Sequence, residues 1–145
     1  MEAGTREPSH GAPPVRVLVV DAANVVGSRP DGWWRDRAGA ASRLLAALAG
    51  VVDAVVPGPE GAPLRLAQVR AVLEGRAREA PDPAGAVRVV RAERDGDTAV
   101  VAQAHQVLEE GGVPLVVTAD RGLRERLPAR AQVAGPGWLH RVLEE

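Results

Sequence analysis

The hydrophobic pattern of this chain changes period as it proceeds. Val15 to Val20 is a run of β-branched residues and Leu, the signature of a strand buried on both faces. DAANVVGSRPDGWW then carries turn and breaker residues, with no obvious helix behind Asp21. DRAGAASRLLAALAG follows, with Ala40, Leu44, Leu45 and Leu48 at helical spacing and Asp36 near its first turn. Two stretches stay open at this level. GVVDAVV extends that helix or forms a strand before the loop PGPEGAP, and AQVRAVLEGRARE fits a helix or a short strand stopped by Gly75.

The second half alternates more plainly. AVRVVRA predicts a strand, and DTAVVAQAHQVLEEGG a helix with Ala99, Val100, Ala104, Val107 and Leu108 on one side, stopped by Gly111 and Gly112. VPLVVTA predicts a second buried strand, ADRGLRERL a short helix and RAQVAG a short strand. PGWLHRVLEE predicts a closing helix with Pro136 near its start. Strands alternating with helices imply right-handed βαβ units. The expected fold is therefore α/β, three-layered and Rossmann-like, with a central, mostly parallel sheet flanked by helices. Residues 15–145 form the expected domain, and residues 1–14 read as a disordered tail without the basic start and apolar core of a signal peptide.

Composition narrows the chemistry. The chain has 145 residues, a net charge of −1 and no cysteine, which excludes disulfides and thiolate metal sites and fits a reducing cytoplasm. Ile, Phe, Tyr and Lys are also absent, a usage that points to a GC-rich coding sequence. No apolar run approaches the roughly 20 residues that span a bilayer, so no membrane partner is expected. With charge near zero, a nucleic acid would have to be held by a local Arg cluster together with metal ions.

Three acids stand where strands give way to the next element: Asp21 after VRVLVV, Asp97 at the start of the TAVV helix, and Asp120 after PLVVTA. A parallel sheet delivers such residues to one edge. Asp97 and Asp120, taken singly, have a structural alternative, because Asp readily caps a helix start, whereas Asp21 is followed by a glycine-containing turn and is harder to assign to capping. Brought together, the three would repel unless a cation neutralised them, and oxygen ligands without His or Cys favour Mg²⁺ or Mn²⁺. Such an ion suits phosphodiester hydrolysis. Around them, Asn24 serves Asp21 or the substrate, or makes an Asx turn, and Thr118 orients a carboxylate or packs in its strand. Arg76, Arg78, Arg121 and Arg124 flank the presumed edge, with Arg76, Arg78 and Arg121 as the phosphate-binding candidates or as solvated charges. Trp33 and Trp34 either stack on a base or cover the sheet edge. His105, mid-helix, receives no role.

At these residues the sequence resembles the NYN branch of the PIN-like nuclease superfamily, and in particular the small bacterial YacP-like NYN proteins. The carriers are VVDAANVVGS, the RDRAGAASRL helix, VLEGRAR, the GDTAV helix start and VVTADRGLRERL, of which T-A-D-R is the most specific. The resemblance spans roughly residues 15 to 145. It implies a PIN-like fold, a bacterial cytoplasmic protein, and a ribonuclease in which Asp21, Asp97 and Asp120 hold one or two Mg²⁺ or Mn²⁺ ions. It also favours a strand over Val69 to Leu73, which would bring Glu74 to the active edge. Glu74 and Asp36 are then further candidates. Members often read G-D-D at the helix start, where this chain has Gly96, Asp97 and Thr98.

Two other functions fit the acids. A nucleoside triphosphate pyrophosphohydrolase also uses carboxylates and Mg²⁺, although neither an E-x-x-E metal helix nor an R-E-x-x-E-E run is present. A binding module of the same fold would hold RNA or a protein without cutting. The pattern leaves the oligomeric state open, a homodimer included. A phosphorelay receiver is excluded by the absence of Lys, a dinucleotide fold by DAANVV in place of G-x-G-x-x-G, and a P-loop by its missing motif.

Overall fold

The computed structural model of the chain describes residues 11–145; most of the expected N-terminal tail, residues 1–10, lies outside the described residues. The run predicted from Val15 becomes strand β1 (Val15–Asp21), and its neighbours follow from pattern and partners. Helix α1 (Ala22–Gly27) leads through a 3-10 turn at Trp33–Arg35 into α2 (Arg37–Ala49). Strand β2 (Val55–Pro57) and the long β3 (Pro63–Leu73) come next, followed by a 3-10 turn at Gly75–Glu79 and strand β4 (Arg88–Arg91). Then α3 (Gly96–Glu109), β5 (Pro114–Val117), α4 (Arg121–Arg126), β6 (Gln132–Ala134) and α5 (Pro136–Glu144) complete the chain.

The six strands form one sheet ordered β2-β3-β1-β5-β6, with β4 also paired to β3. All pairings are parallel except β2 with β3. Strand β3 has room for two partners on one side because it is long: β2 takes Pro63–Arg65 and β4 takes Arg70–Leu73. Both ambiguous stretches thus resolve as strands. Residues 51–53 turn through Asp53, at φ 65°, and the chain doubles back through Gly58–Ala62 as a hairpin. Non-local pairing decided what short apolar runs left undecided.

Alternation along the strands sorts the core into two. Leu18 and Val20 of β1 pack with α2 and α5 residues such as Leu45, Leu48 and Leu139. Val17 and Val19 face the other way, toward Val100, Ala104 and Val107 of α3 and Leu123 of α4. Helices therefore cover both faces, as expected for a parallel sheet.

One charge sits inside the second layer. Arg70 of β3 is 1 % exposed, and its guanidinium donates to Gln103 Oε1 (3.0 Å), Gln68 Oε1 (3.1 Å) and Glu110 Oε1 (2.7 Å). Glu110 stays solvated at the end of α3, and the Arg70 bond holds its carboxyl below the usual carboxylate range. Among the described residues, no helix is long and apolar enough to cross a membrane.

Candidate active site at the C-terminal edge of the sheet

Register brings the acids together. Asp21 is paired with Val72 in β3, and Val20 with Val117 in β5, so Asp21, Glu74 and Thr118 all lie at or just past the same strand ends. They share parity with Val19, Val72 and Val116, which face α3. Helix α3 begins at this edge because β4, the strand before it and parallel to β3, ends beside Leu73.

Asp21 is 5 % exposed. Its Oδ2 accepts a hydrogen bond from Thr118 Oγ1 at 2.9 Å, and its Oδ1 accepts a long one from Asn24 N at 3.4 Å. The segment expected as a turn is in fact helix α1, and Asp21 is its N-cap. Of the four apolar residues in AANVVG, Ala22 and Val25 are buried and seat it. Burial pushes the Asp21 carboxyl above its ordinary pKa. The two hydrogen bonds pull it down, and the charges of Asp97 and Glu74 push it up again.

Thr118, fully buried, does more than pack. Its hydroxyl donates to Asp21 and accepts from Asp120 N at 3.1 Å, coupling two of the acids. Asn24 Oδ1 accepts from Ala119 N at 2.7 Å, bracing α1 against the β5–α4 junction, while its Nδ2 has no partner among the described residues. Asp120 is exposed and caps α4 through Leu123 N at 3.0 Å.

The start of α3 divides its labour among four residues. Asp95, which the sequence reading passed over, is the cap: it accepts from Thr98 N at 2.7 Å and Thr98 Oγ1 at 3.2 Å, bonds that lower its carboxyl pKa. Glu74 Oε1 accepts from Gly96 N at 3.0 Å, fastening the end of β3 to the helix start. A Cβ at position 96 would run into Glu74 Oε1, so glycine is required by close approach. With capping done by its neighbours, the Asp97 carboxylate has no hydrogen bond among the described residues. Partial burial raises its pKa, and the charges of Asp120 and Asp95 add to that, against a lowering by Arg126. The bland role considered for Asp97 belongs to Asp95.

The remaining candidates scatter. Asp36 caps α2 through Gly39 N at 2.9 Å and is exposed, with no bond to the acidic edge. Arg78 turns its guanidinium onto Gly75 O (3.2 Å) and Ala92 O (3.1 Å), and Arg124 grips Thr118 O at 2.8 and 3.1 Å. Arg76 and Arg121 are exposed and have no hydrogen bond among the described residues. The cation closest to the acids in effect is Arg126, whose Nη2 reaches Thr98 Oγ1 at 3.3 Å. Nothing in the residue order marks it, since its partner Thr98 lies 28 positions away.

Electrostatically, the edge is a set of mutually opposed carboxylates. Among the described residues, no three or more acid, His or Cys side chains stand close enough to hold one ion. Mg²⁺, however, retains waters and is usually held by one or two carboxylates plus a substrate phosphate. Oxygen-only donors and two acids with raised pKa values suit that looser kind of site. A cleft of about 140 Å³ opens beside it, lined by Ala22, Ala23, Trp33, Arg37, Glu74 and Gly75 among others. A larger one of about 280 Å³ lies between α1, α2 and α5, and none of the four acids lines it.

Among solved structures, that of Rae1 (YacP) from Bacillus subtilis, crystallised as a mutant, is similar. The TM-score is 0.65 at 18 % identity, covering 89 % of this chain and 75 % of that one. At that identity the likeness establishes the fold, which is the one the YacP-like motifs implied. No family model and no curated protein matches the chain.

Proposed function

We propose that the protein is a metal-dependent ribonuclease of the NYN, PIN-like kind, hydrolysing RNA phosphodiester bonds at the edge formed by Asp21, Glu74, Asp97 and Asp120. The observation that carries this reading is the opposed charge at that edge: Asp21 and Asp97 have raised pKa values partly because of neighbouring carboxylates. Such an arrangement costs stability in the free protein and is relieved by a cation. The structural likeness to a YacP protein supports it at the level of fold.

In this reading Asp21 and Asp97 are the principal ligands for Mg²⁺ or Mn²⁺, with Asp120 and Glu74 able to complete the set through water. When bound, the ion would draw charge from a phosphate oxygen and make a water more acidic. The chain's own residues do the rest. Thr118 fixes the orientation of the Asp21 carboxylate through its 2.9 Å bond. Asn24 holds the α1 and β5 ends at a constant separation and offers its NH₂ to the substrate. Arg76 and Arg121, exposed and uncommitted among the described residues, supply charge for flanking phosphates.

The experiment is cleavage of a labelled RNA pool by purified protein with Mn²⁺, Mg²⁺ or EDTA, beside hydrolysis of nucleoside triphosphates, with Asp21→Asn as control. Metal-dependent RNA cutting lost in the variant establishes the nuclease. Triphosphate hydrolysis alone assigns a pyrophosphohydrolase instead. The absence of a preassembled three-acid cluster among the described residues favours, as second reading, a module that binds RNA without cutting, and silence in both assays would select it.

A further inference from the structure

The two adjacent tryptophans have no part in the chemistry above. Trp34 is 52 % exposed, although Trp is a residue whose burial is strongly favourable. Trp33 packs its ring against Gly27 and forms one wall of the 140 Å³ cleft. Their rings meet edge to face at 6.2 Å. Cations accompany both: the Arg35 guanidinium lies 5.7 Å from the Trp34 ring centre and that of Arg37 lies 5.3 Å from the Trp33 ring centre.

This cleft shares its walls with the candidate active site. Ala22 follows Asp21 directly, and Glu74 lines the cleft while bonding the start of α3. Arg76 lies on the turn between the lining residues Gly75 and Ala77. At about 140 Å³ the cleft is well below the ~300 Å³ at which pockets usually enclose a whole drug-sized ligand. It suits one planar ring, with the rest of the ligand running outside past Arg35, Arg37 and Arg76.

We propose that the Trp33–Arg37 segment and this cleft form a stacking surface for single-stranded RNA, seating one unstacked base against Trp33 beside the acidic edge and the next on Trp34. The proposal rests on the RNA reading above and names how that site would take its substrate. Aromatic faces accept any base, and paired bases are hidden in the stack, so the surface selects single strands over duplex. Local Arg residues also supply the attraction that a net charge of −1 cannot.

The chain provides its own reporter. It has three Trp and no Tyr, and Trp138 is buried with its Nε1–H bonded to Pro57 O at 3.0 Å, so a ligand-induced fluorescence change reads the 33–34 pair. The full chain is titrated in EDTA, where a metal-assisted cut cannot occur, with a short single-stranded oligoribonucleotide and with a duplex of the same sequence. Saturable quenching by the single strand and little by the duplex is expected. Trp34→Leu, at an exposed position, should remove the Trp34 share of the quench and leave that of Trp33. By polarisation of labelled RNA it should also weaken binding roughly tenfold, as loss of one stacked base does, and Trp34→Phe should restore affinity. Equal binding by Trp34→Leu, or equal quenching by duplex, would overturn the proposal. So would quenching that rises with protein concentration in the absence of RNA, which would assign the patch to a second copy of the chain. RNA held through Trp34 but never cut leaves the stacking surface and removes the nuclease. Cutting with a KM unchanged in Trp34→Leu does the reverse.

Discussion

Thr118→Val tests the wiring of the acidic edge most directly. The substitution keeps shape and replaces a hydroxyl that donates to Asp21 Oδ2 at 2.9 Å and accepts from Asp120 N at 3.1 Å. Asp120 is exposed, so water replaces the second bond at little cost. Asp21 is 5 % exposed, and its oxygen would be left unpaired. A hydrogen bond to a charged, buried group is worth about 1.5–3 kcal/mol, so a loss of about 2–3 kcal/mol is expected near neutral pH. With a urea m-value of about 2 kcal/mol/M, the unfolding midpoint falls by roughly 1 M. The pH dependence has a definite sign. The Asp21 carboxyl already titrates above its unfolded value, and the Thr118 bond is the largest influence lowering it. Without that bond it rises further, and the folded state holds its proton over a wider range. Stability then falls as pH rises through that range, so the deficit is largest near neutrality and shrinks toward acid. Thr118→Ser, which keeps the hydroxyl and loses one methyl, should cost only about 1 kcal/mol. Urea melts of the three proteins at about pH 7.5 and about pH 5 decide the matter. A Val variant within 0.5 kcal/mol of wild type (about the noise of such melts), a pH-independent deficit, or an equally damaged Ser variant would refute the reasoning.

Asp21→Asn should raise the thermal midpoint in EDTA near neutral pH, because a buried carboxylate facing Asp97 and Glu74 opposes folding once ionised and Asn still caps α1; a lowered midpoint would contradict the electrostatics. Adding Mg²⁺ or Mn²⁺ at about 100 times its Kd should stabilise the wild type by about 2.7 kcal/mol. For a chain of this size that is a shift of several degrees, and calorimetry should show none in a combined Asp21→Asn, Asp97→Asn variant. Arg70→Ala should destabilise by about 3 kcal/mol, since Gln68 and Gln103 lose a shared buried donor and a cavity opens beneath α3. Arg70→Met, which fills the space, should recover at least half of that in chemical denaturation.

Much of this architecture is written in short-range pattern. The Val and Leu run of β1, the helical spacing of Ala40, Leu44, Leu45 and Leu48, and the Pro136 start of α5 each match their elements, because each is a local solution to burial or capping. Asp21, Asp97 and Asp120 were visible as strand-end or helix-start acids for the same reason. Three features were not legible. Helix α1 hid among turn residues, since a six-residue helix depends on seating Ala22 and Val25 in the core. Asp95 and Asp97 flank one glycine, and only the direction of each side chain shows that the first caps while the second has no hydrogen bond among the described residues. Arg126 reaches Thr98 across 28 positions, and Arg70 reaches Glu110 across 40, separations that carry no periodic signal.

Residue order alone shows that strands and helices alternate and that the strand ends carry acids. Burial and chain stereochemistry act within a few residues, and their marks remain in the residue order. The unbroken run of β3 from Pro63 to Leu73 comes from long-range pairing, because its partners β1, β2 and β4 satisfy a backbone whose side-chain pattern suits either element. That pairing in turn sets Glu74 two residues beyond the partner of Asp21 and against Gly96. Opposed charge at one sheet edge is thus a property of register, which depends on contacts between distant segments and is absent from any one of them.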